Sequence, residues 1–361
     1  MDLRYKRLVT GLLKGEAYEG FRFHKPEDPW ELEDVSIPTI GDKDVLVKIK
    51  ASGICGSDLH YKHGRMEPAK IPIILGHEIA GIVEKIGNNL EAVNVGDRVC
   101  VHYIISCGNC IHCSQGNDNR CRNRWSIGHH VDGGFAEYIA IPSRNAFKLP
   151  QKIPLEQGAI IGCAVSTAFH ALRVAEFQPG DSVAVFGLGG VGMHAVAWAK
   201  AFGASKIIGV DVVDFKLRLA KEFGADFTIN ATEQDPVKEV QDLTDGWGVD
   251  VSLEVAGTEK TMEYAISSAC GKSPYASGRV VSVAAQFPPI RITGMRTLRE
   301  GALRKSGDHT RDDLRRVIEL VSAGRIDLSK SITHRLPFDE LNKAVELLEE
   351  GKDVLRVVVL Q

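Results

Sequence analysis

The second half of the chain begins with a regular alternation of strand-like and helix-like segments, and this pattern limits the fold more than any other feature. Ser182–Phe186 is a nearly continuous apolar run, which is typical of a strand buried on both faces of a parallel sheet. A glycine-rich turn and a helical stretch over Met193–Phe202 follow, then a strand at Lys206–Val210 and a helix over Phe215–Phe223. Strands that alternate with helices form right-handed crossovers, so the pattern predicts an α/β, doubly wound parallel sheet.

The alternation continues toward the C-terminus. Asp250–Val255 and Arg279–Ala284 have the apolar composition of further strands. Amphipathic helices are predicted over Arg311–Ala323 and Phe338–Glu350, and a last strand at Leu355–Leu360.

The first 165 or so residues have a different pattern. Val45–Lys50 alternates apolar and polar residues, as a half-buried strand does, and Ile79–Ile86 and Arg98–Tyr103 are similar. Glycine-containing turns separate these runs, and few helices are indicated. Since 361 residues exceed what one hydrophobic core usually spans, the change of pattern near residue 166 predicts a domain boundary.

Composition excludes several classes of protein. The formal net charge of −3 does not favour nucleic acid or anionic membrane as a partner. No apolar run approaches the roughly 18 residues that would span a bilayer. The N-terminal basic residues Arg4, Lys6 and Arg7 precede an apolar stretch that Thr10, Gly11 and Lys14 interrupt, so a secretory signal is not indicated. We therefore expect a soluble cytoplasmic protein with a small-molecule substrate.

A glycine-rich turn follows the strand at Ser182–Phe186 and predicts a dinucleotide site. It has the pattern G-x-G-x-x-G, with the residues Gly187, Leu188, Gly189, Gly190, Val191 and Gly192. The first glycine permits a tight turn, the second lets the backbone approach a pyrophosphate, and the third lets helix and strand pack closely. The helix N-terminus then offers free N–H groups to the phosphates. The alternative is a structural turn without a ligand.

Asp211 lies nineteen residues after Gly192, at the end of the next predicted strand. A carboxylate there accepts hydrogen bonds from the adenosine ribose and repels a 2′-phosphate, which favours NAD over NADP. Val212 and Val213 follow in place of arginine, although Lys216, a candidate cofactor contact, and Arg218 are nearby in sequence and leave NADP open.

Four of the eight cysteines lie within one short segment and predict a structural zinc site. The segment contains Cys107, Cys110, Cys113 and Cys121. Zinc accepts a tetrahedral shell of four thiolates, and a closed shell leaves no position for a substrate. An iron–sulfur cluster is less favoured because the last spacing is seven residues and Arg122 follows. A disulfide pairing would require an oxidising compartment.

Three residues that are far apart in sequence complement one another as ligands for a second metal. Cys55, His77 and Cys163 together offer two thiolates and an imidazole, which leaves a fourth zinc position for water or substrate. Asp58 is suited to orient the His77 imidazole, although a simple turn aspartate is the alternative. Cys163 could instead be a small buried apolar residue.

Several motifs together resemble the zinc-dependent medium-chain dehydrogenase family, which includes alcohol, polyol and threonine dehydrogenases. The motifs occur in the family's order and span nearly the whole chain: Gly76-His77-Glu78-x2-Gly81-x5-Gly87, Val95-Gly96-Asp97-Arg98-Val99, the four-cysteine segment and the glycine-rich turn. The resemblance implies a GroES-like β-rich catalytic domain over 1–165 and 307–361, with a Rossmann NAD-binding domain over 166–306 and an active-site cleft between them.

The resemblance also implies roles for individual residues. Catalytic zinc would be held by Cys55, His77 and Cys163, with Glu78 as an alternative ligand, and a second, structural zinc by the four-cysteine segment. Ser57 would bridge substrate and cofactor ribose, and His60 would relay the released proton; a turn hydroxyl and a surface histidine are the alternatives. Tyr103 would line the substrate pocket, and Arg356 would contact the cofactor pyrophosphate; a core aromatic residue and a surface charge are the alternatives.

The implied activity is transfer of hydride between a primary or secondary alcohol and NAD, giving an aldehyde or ketone, in a homodimer or homotetramer. Cys163 favours an alcohol dehydrogenase, since polyol dehydrogenases carry glutamate there, whereas the segment Cys55–Tyr61 resembles the polyol and threonine branches. Polyol or L-threonine 3-dehydrogenase activity is therefore an alternative. Two further alternatives are a zinc-independent enone or quinone reductase and a non-catalytic zinc- and NAD-binding scaffold.

Overall fold

The structure is a computed structural model that describes residues 12–88, 92–269, 278–285, 291–292 and 301–361, with side chains from residue 17 onward. The N-terminal basic residues Arg4, Lys6 and Arg7 lie outside the described residues. Each helix within the described ranges is too short or too polar to cross a lipid bilayer. The chain forms two compact units, Met1–Cys163 with Thr310–Gln361, and Ala164–His309.

The first unit is built on antiparallel sheets. Its strands in the N-terminal segment are β1 (Leu12–Phe23), β2 (Glu31–Pro38), β3 (Asp44–Gly53), β4 (Ile73–Ile74), β5 (Glu78–Ile86), β6 (Arg98–Val101), β7 (Ile104–Ile105), β8 (Trp125–Ser126), β9 (Tyr138–Pro142) and β10 (Ala146–Lys148). Strands β2, β1 and β4 form one sheet and β7 pairs with β8. The main sheet has the order β10-β6-β5-β3, with β9 also paired to β3.

The second unit contains a parallel sheet, as the alternating pattern predicts. Its strands are β11 (Ser182–Phe186), β12 (Lys206–Asp211), β13 (Phe227–Asn230), β14 (Val251–Glu254), β15 (Arg279–Ser282) and β16 (Ala302–Lys305). Their order is β13-β12-β11-β14-β15-β16, and every pairing is parallel. From β11 the chain adds β12 and β13 on one side of the sheet, then crosses to add β14 on the other side. Doubly wound sheets bind ligands at this point of reversal, beside β11.

The C-terminal segment returns to the first unit. Strand β17 (His334–Pro337) pairs with β18 (Val357–Leu360), and β18 pairs antiparallel with β3. Val358 lies opposite Gly53 in this register. The last strand therefore adds to the main sheet of the first unit, next to β3.

The described residues form ten α-helices, four of which correspond to the predicted ones. They are α1 (Gly56–Lys62), α2 (Ile111–Ser114), α3 (Leu155–Ile160), α4 (Ser166–Val174), α5 (Gly190–Ala201), α6 (Asp214–Phe223), α7 (Pro236–Leu243), α8 (Glu259–Ser268), α9 (Arg311–Ser322) and α10 (Leu341–Glu350). The predicted helix over Phe338–Glu350 is α-helical only from Leu341, because Phe338–Glu340 forms a 3-10 turn after Pro337. The β-rich half also contains α1, α2 and α3, none of which was predicted.

Candidate metal centres and nucleotide-binding turn

The four-cysteine segment folds into a compact lobe whose sulfur atoms converge. The Sγ–Sγ distances are 3.9 Å for Cys107–Cys113, 3.5 Å for Cys110–Cys113, 3.9 Å for Cys110–Cys121 and 3.4 Å for Cys107–Cys121. A tetrahedral zinc with Zn–S bonds of about 2.3 Å separates its sulfurs by about 3.8 Å. The four sulfurs are therefore already spaced as a zinc shell requires.

Short turns place these sulfurs. Gly108 has a φ of +81° and Gly116 a φ of +78°, backbone conformations that strain residues with a Cβ. Cys110 caps the short helix α2, which brings Cys113 back beside it. The Cys107 N–H points at the Cys121 sulfur at 3.3 Å. Backbone N–H groups directed at sulfur favour the thiolate form that metals bind.

The second set of predicted ligands also converges, although its members come from distant segments. The ligand atoms of Cys55, His77, Glu78 and Cys163 all lie within 4.8 Å of one another. Glu78 is fully buried and Cys163 is 6% exposed. Two sulfurs, an imidazole nitrogen and a carboxylate oxygen form a donor set that suits zinc.

Each ligand is positioned by a different local structure. Cys55 is the N-cap of α1, directly after β3 ends at Gly53. His77 and Glu78 lie at the start of β5, which pairs with β3 in a register that sets Gly53 opposite Glu78. Cys163 lies in a π-helical turn over Ile161–Val165. Such single-turn widenings of a helix are frequent at functional sites.

The ligand side chains of this cluster interact strongly with one another. The hydrogen bond from Cys163 and the nearby His77 hold the pKa of the Cys55 thiol well below its usual value. The same hydrogen bond and burial raise the pKa of Cys163 well above it. Burial acts to lower the pKa of His77, but Cys55, Asp58 and Glu78 outweigh it and raise it to about 9. In the metal-free cluster the Cys55 thiolate and the protonated His77 imidazole thus stabilise each other, and a zinc ion would take the place of the His77 proton between these ligands.

Asp58 is buried beside this cluster. Its Oδ2 accepts a hydrogen bond from the Cys55 N–H at 2.8 Å, and its Oδ1 has no hydrogen-bond partner in the described part of the chain. Burial raises the pKa of Asp58 to about 6, against the opposing influence of His77. The predicted orientation of the His77 imidazole by Asp58 stays a prediction, while the contact with Cys55 was not foreseen.

Glu78 and Arg356 form a buried ion pair that the sequence did not reveal. Arg356 is 3% exposed, and its Nη2 donates to Glu78 Oε2. The second oxygen, Oε1, is buried without a hydrogen-bond partner among the described residues. Gly53 leaves the space for this carboxylate, since a Cβ there would come within 2.1 Å of Oε2. The predicted contact of Arg356 with a pyrophosphate stays a prediction.

The residues predicted to relay a proton lie on α1. Ser57 and His60 belong to the helix that Cys55 caps. The Ser57 hydroxyl is buried without a hydrogen-bond partner in the described ranges. Burial and the nearby Arg65 lower the pKa of His60, which keeps its imidazole neutral at pH 7. The Tyr103 ring packs edge-on against His77, with 5.0 Å between the ring centroids.

In the second unit, the glycine-rich turn connects β11 to α5. Gly187 has a φ of +99°, and Gly189 is the N-cap of α5. A Cβ on Gly192 would come within 1.8 Å of the Gly187 carbonyl oxygen, so this position requires glycine. Gly190 and Val191 form the first residues of α5, whose N-terminus has the unpaired N–H groups that bind phosphate.

Asp211 ends β12 beside this turn. Its Oδ2 accepts from the Leu188 N–H at 2.6 Å, and its Oδ1 accepts from the N–H groups of Val212 and Val213 at 2.8 and 3.0 Å. The carboxylate is thereby fixed at the edge of the glycine-rich turn, and its predicted contact with the cofactor ribose stays a prediction. Lys216 lies in the first turn of α6, near Asp211 in sequence.

Comparison with known proteins identifies the family. Residues 41–151 match the alcohol dehydrogenase GroES-like domain, and residues 190–323 match the zinc-binding dehydrogenase domain. An alcohol dehydrogenase of Geobacillus stearothermophilus is 34% identical over 91% of this chain and 95% of its own length. The chain belongs to the zinc-dependent medium-chain dehydrogenase family.

Two further proteins illustrate the range of this dehydrogenase family. The L-threonine 3-dehydrogenase of Pyrococcus furiosus is 38% identical over 91% of this chain and 94% of its own length. An alcohol dehydrogenase of Escherichia coli, solved with NADH, superposes with a TM-score of 0.87 at 30% identity, covering 96% of this chain and 100% of that one. The predicted GroES-like and Rossmann folds are confirmed, and the dehydrogenase is an oxidoreductase of a family that uses zinc and NAD.

Proposed function

We propose that this dehydrogenase oxidises a primary or secondary alcohol to the aldehyde or ketone, with NAD as the hydride acceptor. The observation that carries the proposal is the convergence of Cys55, His77 and Cys163 within 4.8 Å of one another. A scaffold that only bound zinc would need no more than the four-cysteine lobe. A zinc-independent reductase would have no use for two cysteines and a histidine at this position.

The donor atoms of Cys55, His77 and Cys163 would hold the catalytic zinc, and those of the four-cysteine lobe the structural one. When bound, the catalytic zinc supplies a Lewis acid that makes the alcohol hydroxyl more acidic. Glu78 would contribute mainly through its charge, because Oε2 is paired with Arg356. Its free Oε1 keeps it available as an alternative ligand.

The chain's own residues would handle the proton. Oxidation of an alcohol releases one hydride and one proton. NAD, when bound, would supply the hydride acceptor, and the proton must reach solvent. The buried, unpartnered Ser57 hydroxyl is suited to take up the alcohol proton as it gives up its own. The His60 imidazole on the same helix is suited to receive the proton that Ser57 gives up, because it is unprotonated at pH 7.

Asp211 supports a preference for NAD over NADP. Its carboxylate is held in place by three backbone N–H groups at the edge of the glycine-rich turn. A 2′-phosphate on the ribose would face this fixed negative charge. We expect Asp211→Ala to raise the KM for NAD by about tenfold and to leave the KM for NADP unchanged or lower. Steady-state kinetics with both cofactors measure this, and an equal rise for both would remove the ribose role.

L-threonine is a second candidate substrate, because a threonine dehydrogenase is among the similar proteins, at 38% identity. The discriminating experiment is a panel of primary alcohols, secondary alcohols, polyols and L-threonine, assayed with NAD by absorbance at the NADH band. Zinc content is measured on the same sample. Two zinc ions per chain and turnover of a simple alcohol support the proposal. Turnover of L-threonine alone, or of a polyol alone, would show that this compound and not a simple alcohol is the substrate. Turnover undiminished after zinc removal would overturn the mechanism.

Assembly and location remain predictions. The expected homodimer or homotetramer is tested by light scattering of the purified protein. The expected cytoplasmic location is tested by fractionation of cells that produce it.

A further inference from the structure

Two arginines from outside the four-cysteine lobe lie against it. Arg144, in the 3-10 turn over Ser143–Asn145, donates from Nη2 to the Ser106 hydroxyl at 2.8 Å, immediately before Cys107. A Cβ on Gly108 would come within 2.1 Å of Arg144 Nη1. The guanidinium therefore lies directly over the backbone turn that joins Cys107 to Cys110.

Arg311, the first residue of α9, approaches from a different direction. Its backbone N–H donates to Asp118 Oδ1 at 3.1 Å, and Asp118 is a buried residue of the lobe. Its Nε donates to the Arg144 carbonyl oxygen at 3.0 Å, and its guanidinium lies 5.4 Å from the centroid of the Phe147 ring. Burial and Arg144 lower the pKa of Arg311, whereas Asp118 and the Cys113 sulfur raise it. Arg311 is thus held against the lobe by its contacts with Asp118 and Arg144, and its guanidinium is close enough to the Cys113 sulfur to interact with it.

The arrangement is unusual for two like charges. Each guanidinium is partly buried, and burial of a cation costs free energy unless an opposite charge compensates it. Asp118 supplies one negative charge. A zinc ion bound by four thiolates forms a group with a net charge of −2, because the four negative ligands exceed the charge of the ion by two. The metal-loaded lobe is therefore the group that makes the two neighbouring cations favourable.

We propose that Arg144 and Arg311 neutralise the charge of the zinc-loaded lobe and thereby slow the loss of its zinc. Arg144 acts directly on the turn around Cys107, and Arg311 acts both by its charge and by holding the backbone of Arg144. The inference rests on zinc occupancy of the lobe and does not depend on which alcohol the enzyme oxidises.

The test measures zinc release from the full-length chain carrying Cys55→Ser, so that the lobe zinc is observed alone. Release into an excess of a chromogenic chelator is followed by absorbance. Arg144→Met should release zinc about 10- to 100-fold faster than this parent, since loss of a group that supports metal ligands costs about that factor in affinity. Arg144→Lys keeps the charge and should recover most of the difference. If Arg144→Met is not obtained folded, Arg144→Gln compared with Arg144→Lys serves the same purpose.

Two matched controls separate charge from other effects. Arg120→Met removes the same charge from an exposed side chain of the lobe itself, and it should release zinc within about twofold of the parent because solvent screens that charge. Ser106→Ala removes the hydrogen bond to Arg144 but keeps both cations, and it should also resemble the parent. Equal release by Arg144→Met and Arg120→Met would overturn the proposal, as would release from Ser106→Ala as fast as from Arg144→Met. A parent chain that binds no zinc would overturn it as well.

Discussion

The two metal centres are made of similar side chains but are assembled in opposite ways. The four-cysteine lobe takes all its ligands from Cys107–Cys121, on short turns near the surface. The buried centre takes Cys55, His77 and Cys163 from three segments that the sheet and a π-helical turn bring together. The difference shows that one centre depends on local turns and the other on completion of the fold. The first should therefore govern stability and the second activity.

The largest expected effect is on catalysis at the buried centre. Cys55→Ala should lower kcat by more than about 1,000-fold, because Lewis-acid activation contributes several kcal/mol to transition-state stabilisation. The variant should keep one zinc per chain and its affinity for NAD, which calorimetric titration measures. The control is Cys100→Ala, a buried cysteine outside both centres. Substantial activity in Cys55→Ala would show that the buried centre is not catalytic.

A buried ion pair distinguishes the buried centre from the lobe. Arg356→Met leaves the Glu78 carboxylate buried without its partner and should lower the free energy of unfolding by about 3–5 kcal/mol. The double variant Glu78→Gln with Arg356→Met removes both charges and should recover much of this loss, as urea unfolding would show. If the double variant is as unstable as the single one, packing rather than charge accounts for the effect.

Loss of a zinc ligand from the four-cysteine lobe should lower the stability of the protein. Cys110→Ala opens the zinc shell and should lower the free energy of unfolding by about 3 kcal/mol, or Tm by about 6–12 °C, since loss of a structural metal site is among the largest single-residue effects. Calorimetry measures this against Cys100→Ala. Turnover per folded chain at low temperature should stay within about twofold of wild type. A Tm equal to that of wild type with one zinc fewer would contradict the structural role.

The smallest effect concerns thiol reactivity after zinc has been removed. A hydrogen bond from the Cys113 backbone lowers the pKa of Cys110 to about 6. By contrast, the hydrogen bond between Cys163 and Cys55, together with burial, raises the pKa of Cys163 well above its usual value. An acid with a lowered pKa is ionised above that pH, so alkylation of Cys110 should increase through pH 6 and level off by pH 7 to 8. Cys163 should remain slow at pH 8. Peptide mass spectrometry of iodoacetamide-treated protein gives both rates, and equal rates would erase this difference between the centres.

Features that depend on local sequence were predictable. The strand at Ser182–Phe186 and the alternation that follows gave the parallel sheet because fully buried strands need uninterrupted apolar residues. The lobe was predictable from its cysteine spacing, since all four ligands share one turn region. Helix α1 was missed because it is only seven residues long, too short for a helical period to be recognised. Its start was signalled instead by Asp58, whose carboxylate binds the Cys55 N–H.

Features that depend on distant contacts were not predictable from residue patterns. Cys163 was proposed as a ligand from its donor type and from the family resemblance, because nothing around it indicates the π-helical turn that turns its sulfur toward Cys55. The pairing of Glu78 with Arg356 joins residues 278 positions apart, and neither residue shows a partner in its own segment. The space that Gly53 leaves for Glu78 follows from the register between β3 and β5, which sequence alone did not supply.

The return of the C-terminal strand to β3 has a consequence for synthesis on the ribosome. The lobe is complete once Cys121 and its neighbours have emerged, so it can acquire metal early. The buried carboxylate of Glu78 must wait for Arg356, which is translated about 10–40 s after Cys163 at a rate of about 5–20 residues per second. During that interval the nascent chain exposes an unpaired sheet edge and an uncompensated acidic group. Aggregation, chaperone binding and mismetallation should therefore be most frequent during that interval. A chain truncated before β18 should remain prone to all three.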